Sequence, residues 1–295
     1  MISRRTFLRG AAGALAGTGT LAGYAIGIEP RYRLAVAEWP LELPAWPESA
    51  LPLRIAALAD IHACEPWMSA SRIADIVART MQLRPDLIVL LGDYMEALGD
   101  GYRSRALSVR EWVEPLAALR APLGVYAVLG NHDWWFDAKA VRQGLTGAGI
   151  PVLENRAIKI SRDGHEFWLA GLGDQLAHRK GGTWQGEDDL DATLAQIGDA
   201  APAILLAHEP DIIARVPRRV ALTLSGHTHG GQVYVPYLGA PWIDTSPFGK
   251  RHPYGHFVEK GRNLVISGGL GLTARPIRFM MPPEITLVSV HSWQV

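Results

Sequence analysis

The chain of 295 residues carries 29 basic against 29 acidic side chains, and 48% of it is hydrophobic. That is the composition of an ordinary globular protein with one large domain or two small ones. Zero net charge, with no Lys/Arg cluster beyond the N-terminus, argues against nucleic acid as a partner. Cys64 is the only cysteine, which excludes an intramolecular disulfide and a cysteine-based zinc site.

The first element is an N-terminal leader. Arg4 and Arg5 precede Phe7 and Leu8, and an uncharged Gly/Ala-rich run extends from Gly10 to Ile28. A positive head before an apolar stretch reads as an export signal, since its glycines would weaken a soluble helix. The S-R-R-x-F-L arrangement resembles the twin-arginine type. Residues 1–31 are therefore expected to be a signal or membrane anchor and residues 32–295 the folded domain, placed in the periplasm or cell envelope. Ala35–Val36–Ala37 has the small-x-small form of a processing site and equally suits a strand. The uncharged run approaches the roughly 20 residues that cross a bilayer.

After a proline-punctuated connector (39–52), LRIAALAD (53–60) is an apolar run ending in a carboxylate, as a buried parallel strand does. A helix follows, capped at Ser69 or Ser71, with Ile73, Ile76, Val77, Thr80 and Met81 at helical spacing. DLIVLLGD (86–93) predicts a second strand, residues 108–119 a second helix, and GVYAVLGNHD (124–133) a third strand. This alternation predicts a right-handed βαβαβ unit with a parallel sheet. The second half is richer in strands. It has a hairpin over 157–172 turning at Asp163-Gly164, apolar runs at 203–211 and 219–231 that end in histidines, and closing strands at 263–269 and 284–290.

Polar residues collect where these runs end: Asp60 and His62, Asp93, Asn131 and His132, His208, then His227 and His229. Each alone has a plain structural reading as a helix cap, a Gly-Asn turn or a solvated loop imidazole. An open α/β sheet, however, brings strand ends to one rim. Carboxylates and imidazoles gathered there without a cation would repel or lose solvation, and a divalent metal resolves that cost. Three Asp/Asn oxygens with four of these five imidazoles suit Mn, Fe or Zn better than Ca or Mg. Seven ligands exceed the needs of one tetrahedral zinc and suit two ions sharing a carboxylate. Asp60 and His62, two apart on an extended segment, are expected to point the same way and grip one ion.

The blocks DIH (60–62), GDYME (92–96), GNHD (130–133), AHEPD (207–211) and GHTHGGQ (226–232), in this order, resemble the signature of the calcineurin-like metallophosphoesterase family. The resemblance implies an α/β fold, a two-sheet α/β/β/α sandwich with its active site at strand carboxyl ends, and hydrolysis of phosphoric esters with two divalent ions. It implies a first ion held by Asp60, His62, Asp93 and His229. A second ion would be held by Asp93, Asn131, His208 and His227, so that Asp93 bridges. His132 would face the substrate and stabilise or protonate the leaving oxygen, and Asp133 would orient that imidazole. Two such ions lower the pKa of a bridging water, so that hydroxide is available for in-line attack. Two departures stand out: Cys64 where glycine is frequent, and Glu209 where a small or amide residue is common, an acid expected to tune phosphate access.

Trp134, Trp135 and Phe136 follow directly, either as a helix start on the core or as an apolar wall for a lipid, nucleoside or aromatic leaving group. Arg103, Arg105, Arg179 and Lys180 fall in predicted loops, and residues 233–257 are expected to cover the site. The resemblance is to the exported, envelope-associated branch, which implies a lipid or nucleotide phosphodiester substrate and membrane association through the N-terminus. Pyrophosphate cleavage in a UDP-linked acyl sugar of lipid A synthesis is a second enzyme reading. A non-catalytic metal-dependent binding module is a third, opposed by the intact His132 and the full ligand set.

Overall fold

The computed structural model describes residues 17–44, 46–48, 50–99, 102–241, 243 and 247–292. Arg4 and Arg5 of the leader lie outside them. Strands β1 (Ala35–Leu43), β2 (Leu53–Leu58), β3 (Leu87–Leu90) and β4 (Val125–Ala127) are joined by helices α1 (Ala70–Gln82) and α2 (Val109–Leu116). Helix α3 (Asn131–Gly147) follows β4. Ser69 caps α1 by accepting from the Arg72 amide at 3.1 Å. Ser108 and Glu111 form a capping box at α2. The expected βαβαβ unit is present: β2 pairs with β3, and β3 with β4, in parallel.

The second sheet begins with β5 (Arg156–Arg162) and β6 (His165–Gly171), the expected hairpin. Asp163 and Gly164 both take positive φ at its turn, as two-residue hairpin loops require. A short exposed ribbon follows, β7 (His178–Lys180) with β8 (Thr183–Gln185), then helix α4 (Leu190–Ala195). The sheet continues with β9 (Ala203–Leu206), β10 (Val220–Ser225), β11 (Gly255–Glu259) and β12 (Arg262–Ile266). The last strand, β13 (Glu284–Ser292), returns to the first sheet. The strand orders are β1-β13-β2-β3-β4 and β11-β12-β10-β9-β6-β5.

Alternation along the strands sets the layers. Ala56, Leu58, Ile88 and Leu90 face the helices α1–α3 in one cluster, while Ile55, Ala57, Leu87 and Val89 meet Ile204, Leu206, Leu222 and Leu224 of the second sheet in another. Ala203 and Leu205 turn outward under α4. The result is the α/β/β/α sandwich, with strands apolar on both faces because both faces are covered. Burying each large aliphatic side chain stabilises the fold by about 1.5–3 kcal/mol.

Residues 25–29 contact this body. Residues 17–32 are helical, and Ala25 and Glu29 are buried. The Arg278 amide donates to the Ala25 carbonyl at 2.9 Å, and the Met281 amide to Glu29 Oε1 at 2.9 Å. The helical segment of residues 17–32 thus meets the chain at Arg278 and Met281. Ala35–Val36–Ala37 forms the first three pairs of the β1–β13 ladder, so the strand alternative for that tripeptide is the one observed. Among the described residues, no helix is long and apolar enough to cross a membrane.

These contacts are worth about 1–3 kcal/mol, and a chain of this size loses about 2–4 °C of Tm per kcal/mol. A chain shortened to begin at residue 33 is expected to melt several degrees below one beginning at residue 17 in calorimetry. Equal melting would show that the docked segment contributes nothing.

Candidate metal centre

All eight strand-end residues meet at the carboxyl ends of β2, β3, β4, β9 and β10. Asp60, His62 and His229 form one group, and Asp93, His208 and His227 a second; within each, the ligand atoms lie within 4.8 Å of one another. Asp93 stands between them, with Oδ2 3.5 Å from His62 Nε2 and 3.2 Å from His208 Nε2. Its Oδ1 accepts from the His132 amide at 2.9 Å. Asn131 Oδ1 lies 3.0 Å from His227 Nδ1. The His132 ring stands edge-on to His62, with 5.1 Å between centroids.

The backbone at the centre is not extended. Asp60, His62, Asp93, His227 and His229 all have φ between 44° and 71°, a left-handed conformation that costs non-glycine residues about 1–3 kcal/mol each. The expectation that Asp60 and His62 point together from an extended segment is therefore corrected: two left-handed turns aim them. Hydrogen bonds from Asp60 N to Gly92 O and from His62 N to Asp93 O, each 3.0 Å, hold those turns against the loop after β3. The approach of the loops leaves no room for a side chain at Gly130. A Cβ there would collide with Asp93 Oδ1 and lie 2.8 Å from His208 Cε1.

Asp133 has a different place from the one expected. Its fully buried carboxylate accepts from the amides of Asp93 (2.8 Å), Tyr94 (2.9 Å), Met95 (3.2 Å) and Gly130 (2.9 Å). It fixes the loop that carries Asp93 and does not orient the His132 imidazole. Four convergent amides are a backbone arrangement that residue spacing does not reveal.

Backbone carbonyls set two of the imidazoles. His62 Nδ1 donates to Met95 O and His208 Nδ1 to Leu91 O, each at 2.7 Å, which turns both Nε2 atoms toward the centre. Burial drives the His62 pKa down to about 3, leaving a neutral ring suited to ligation. Burial, His62 and Arg278 together lower His229 well below its ordinary value. Asp93 titrates far below the usual carboxylate range, because His208 and His132 outweigh its burial. Burial raises Asp60 to about 7, and its Oδ2 is buried without a hydrogen-bond partner. A buried, unpartnered carboxylate oxygen beside neutral imidazoles is the donor set a first-row divalent cation satisfies.

A cavity of about 230 Å³ opens on this cluster, lined by Asp93, Asn131, His132, His227 and His229 and walled by Trp135, Leu176, Trp184 and Thr273. The aromatic triplet divides: Trp134 packs on the core, Trp135 faces the cavity, and Phe136 is 61% exposed. Glu209 does not line the cavity. It lies buried behind His208, where its Oε2 accepts from the Gln175 amide at 3.1 Å, and beside Asp174, whose carboxyl burial and Glu209 push up. Cys64 is a packed thiol that burial raises to about 12. Arg105 is ion-paired to Glu111 at 3.0 Å on the surface.

Sequence reasoning missed Arg278, Thr273, Leu176 and Trp184. Arg278 is fully buried, donating to the carbonyls of Gly268, Gly271 and Met281, with Nη2 3.4 Å from His229 Nδ1. Burial lowers its pKa to about 10. The only signal was an arginine within an otherwise apolar stretch.

Residues 53–231 match the model of the family described as calcineurin-like phosphoesterase. The chain is 32% identical to "Uncharacterized metallophosphoesterase YkuE" of Bacillus subtilis over 298 residues, covering 99% of this chain and 98% of that protein. It is 31% identical to "Phosphodiesterase YaeI" of Escherichia coli, covering 98% of this chain and all of that protein. Among solved structures, a putative 5'-nucleotidase from Staphylococcus aureus aligns with a TM-score of 0.48 at 12% identity, over 83% of this chain and 55% of that one. A dimetal phosphatase from Danio rerio aligns with a TM-score of 0.42 at 14% identity, over 74% and 88%. The chain belongs to the calcineurin-like phosphoesterase family and is a metal-dependent phosphoric ester hydrolase whose centre takes two divalent ions.

Proposed function

We propose that the protein is a phosphodiesterase of the cell envelope, acting on lipid or nucleotide phosphodiesters. The observation that carries this reading is Asp93, whose Oδ2 lies within 3.5 Å of an imidazole from each metal group while its Oδ1 receives the His132 amide. In this arrangement Asp60, His62 and His229 would hold one ion, Asn131, His208 and His227 the other, and Asp93 would serve both. Bound there, Mn, Fe or Zn ions supply Lewis acidity toward the phosphoryl group and lower the pKa of water. His132 projects into the cavity beside Asp93 and donates to the departing ester oxygen. Asp133, clamping four amides, is a positioning residue for the Asp93 loop.

Two features support a diester over a monoester. The cavity has one wall at Trp135, Leu176 and Trp184 and another at Thr273, which also borders a second cavity of about 570 Å³ reaching Gln232, Val233 and Arg275. A phosphoryl group at the ions thus has room for a substituent on each side. The Escherichia coli relative carries the name phosphodiesterase, which agrees. The paired Arg4 and Arg5 support twin-arginine export. Replacing both with lysine is expected to leave the chain in the cytoplasm on fractionation, and unchanged export would sink that part.

The full chain loaded with Mn, Fe or Zn is expected to hydrolyse bis-para-nitrophenyl phosphate in preference to the monoester. Asp93→Ala should remove bound metal along with about 99.9% of turnover, the scale of a lost catalytic electrostatic group. His132→Ala should keep both ions by elemental analysis and lose about 10²–10⁴-fold in rate, most for poor leaving groups. Monoester preference would overturn the diester reading, and metal loss in His132→Ala would overturn its role.

Metal uptake also carries a pH signature. With Asp60 raised to about 7 and His208 raised by Asp93 despite its burial, the protein stripped of metal holds protons at both groups below neutrality. An ion displaces them, so affinity should fall as pH drops below 7, about tenfold per unit for each proton released. Competition with a chelator between pH 5 and 8 measures this slope. A flat profile would refute the assignment of Asp60 and His208 as ligands.

A further inference from the structure

Four flat groups form a ladder out of the centre. The Trp135 ring lies 4.6 Å from the His132 ring. Trp184 stacks on Trp135 at 5.0 Å with an interplanar angle of 18°. The Arg179 guanidinium lies 5.5 Å from the Trp184 ring. Trp135 is fixed by its Nε1, which donates to the Leu176 carbonyl at 2.9 Å.

Core packing does not explain this pair. Trp135 and Trp184 are each 45% exposed. Every residue of the β7–β8 ribbon is exposed, so Trp184 has no apolar layer of its own to join. An isolated two-stranded ribbon is marginal in water; this one contacts α3 through the Trp135–Trp184 stack and through His178, whose ring lies 5.3 Å from that of Trp134. The ribbon presents its one large aromatic side chain to the site.

We propose that Trp135 and Trp184 form the leaving-group subsite, selecting diesters whose departing oxygen carries a flat aromatic ring such as an aryl group or a nucleobase-bearing fragment. This deepens the phosphodiesterase reading and rests on it. An oxygen that departs beside His132 leaves its substituent against the ring nearest His132, which is Trp135, and then against Trp184 and Leu176. The cavity of about 230 Å³ must also admit the phosphoryl group. It falls below the roughly 300–1,000 Å³ typical of sites for drug-sized ligands, which leaves room for a ring system rather than a long acyl chain. Both indoles line the cavity, and an aryl group entering it can meet them in the edge-to-face or offset arrangements that aromatic pairs favour. The Arg179 cation at the outer end completes the ladder.

The test compares methyl para-nitrophenyl phosphate with methyl trifluoroethyl phosphate on the metal-loaded full chain. Trp184→Leu and Trp135→Leu should each lower the aryl-over-alkyl ratio of kcat/KM about tenfold, mainly through KM, and Trp184→Phe should restore most of it. A ratio that stays within twofold, or that Phe fails to restore, overturns the subsite. Calorimetry with the methylphosphonate monoesters of phenol and ethanol supplies a measurement that needs no turnover. The wild-type protein should prefer the phenyl ester and Trp184→Leu should lose that preference. Equal affinity for both in the wild type also overturns the subsite. Turnover without aryl preference sinks the subsite alone, while aryl preference in binding with no diester turnover leaves an aryl-binding site at Trp135 and Trp184 but sinks both the phosphodiesterase reading and the leaving-group role.

Discussion

Charge shared across two sheets is the constraint on which the rest depends. Asp93 leaves the end of β3 in the first sheet, yet its Oδ2 approaches His208 from the second sheet as closely as His62 from its own. The sandwich must therefore close before the centre exists, and the apolar layer between the sheets fixes the separation of the two ligand groups. Burial gives the arrangement its force. In a medium of low effective dielectric the attraction between Asp93 and its imidazoles is much stronger than in water, and the same burial keeps His62 and His229 neutral.

That concentration of charge is held by strained backbone. Five residues of the two groups occupy left-handed conformations that the chain would not adopt without compensation. Compensation comes from paired loops, from the Asp133 clamp and from carbonyls that fix imidazole tautomers. The centre is rigid in the positions of its ligands and glycine-lined at the points where loops cross, as the contacts a Cβ would make at Gly130 show.

Much of this was legible in the sequence. Apolar runs ending in Asp, Asn or His located the strand ends, and their order identified the family that the profile match supports. The βαβαβ unit, the Asp163-Gly164 hairpin and the strand-end places of Asp60, His62, Asp93, Asn131, His132, His208, His227 and His229 followed from residue type and spacing, while the division into seven ligands and a substrate-facing His132 came from the family resemblance. Backbone handedness did not, because Asp and His are enriched at left-handed φ but mostly adopt other conformations, so their presence does not mark it as glycine does. The position of Asp133 was hidden for a related reason: its partners are amides, which every residue carries. Arg278 reaches His229 across 49 positions and Trp184 reaches Trp135 from a separate ribbon, and neither contact is encoded in local periodicity.

The placement of β13 has a consequence for how the protein is made. This strand, among the last residues described, lies between β1 and β2 rather than at the edge of its sheet. A nascent chain that has already supplied every candidate ligand through His229 still lacks the strand that joins its first β-strand to the strand carrying Asp60 at its end. Long-range pairing of this kind is slow to form. The strand that leads to Asp60 therefore gains its second neighbour only after residues 284–292 have been made.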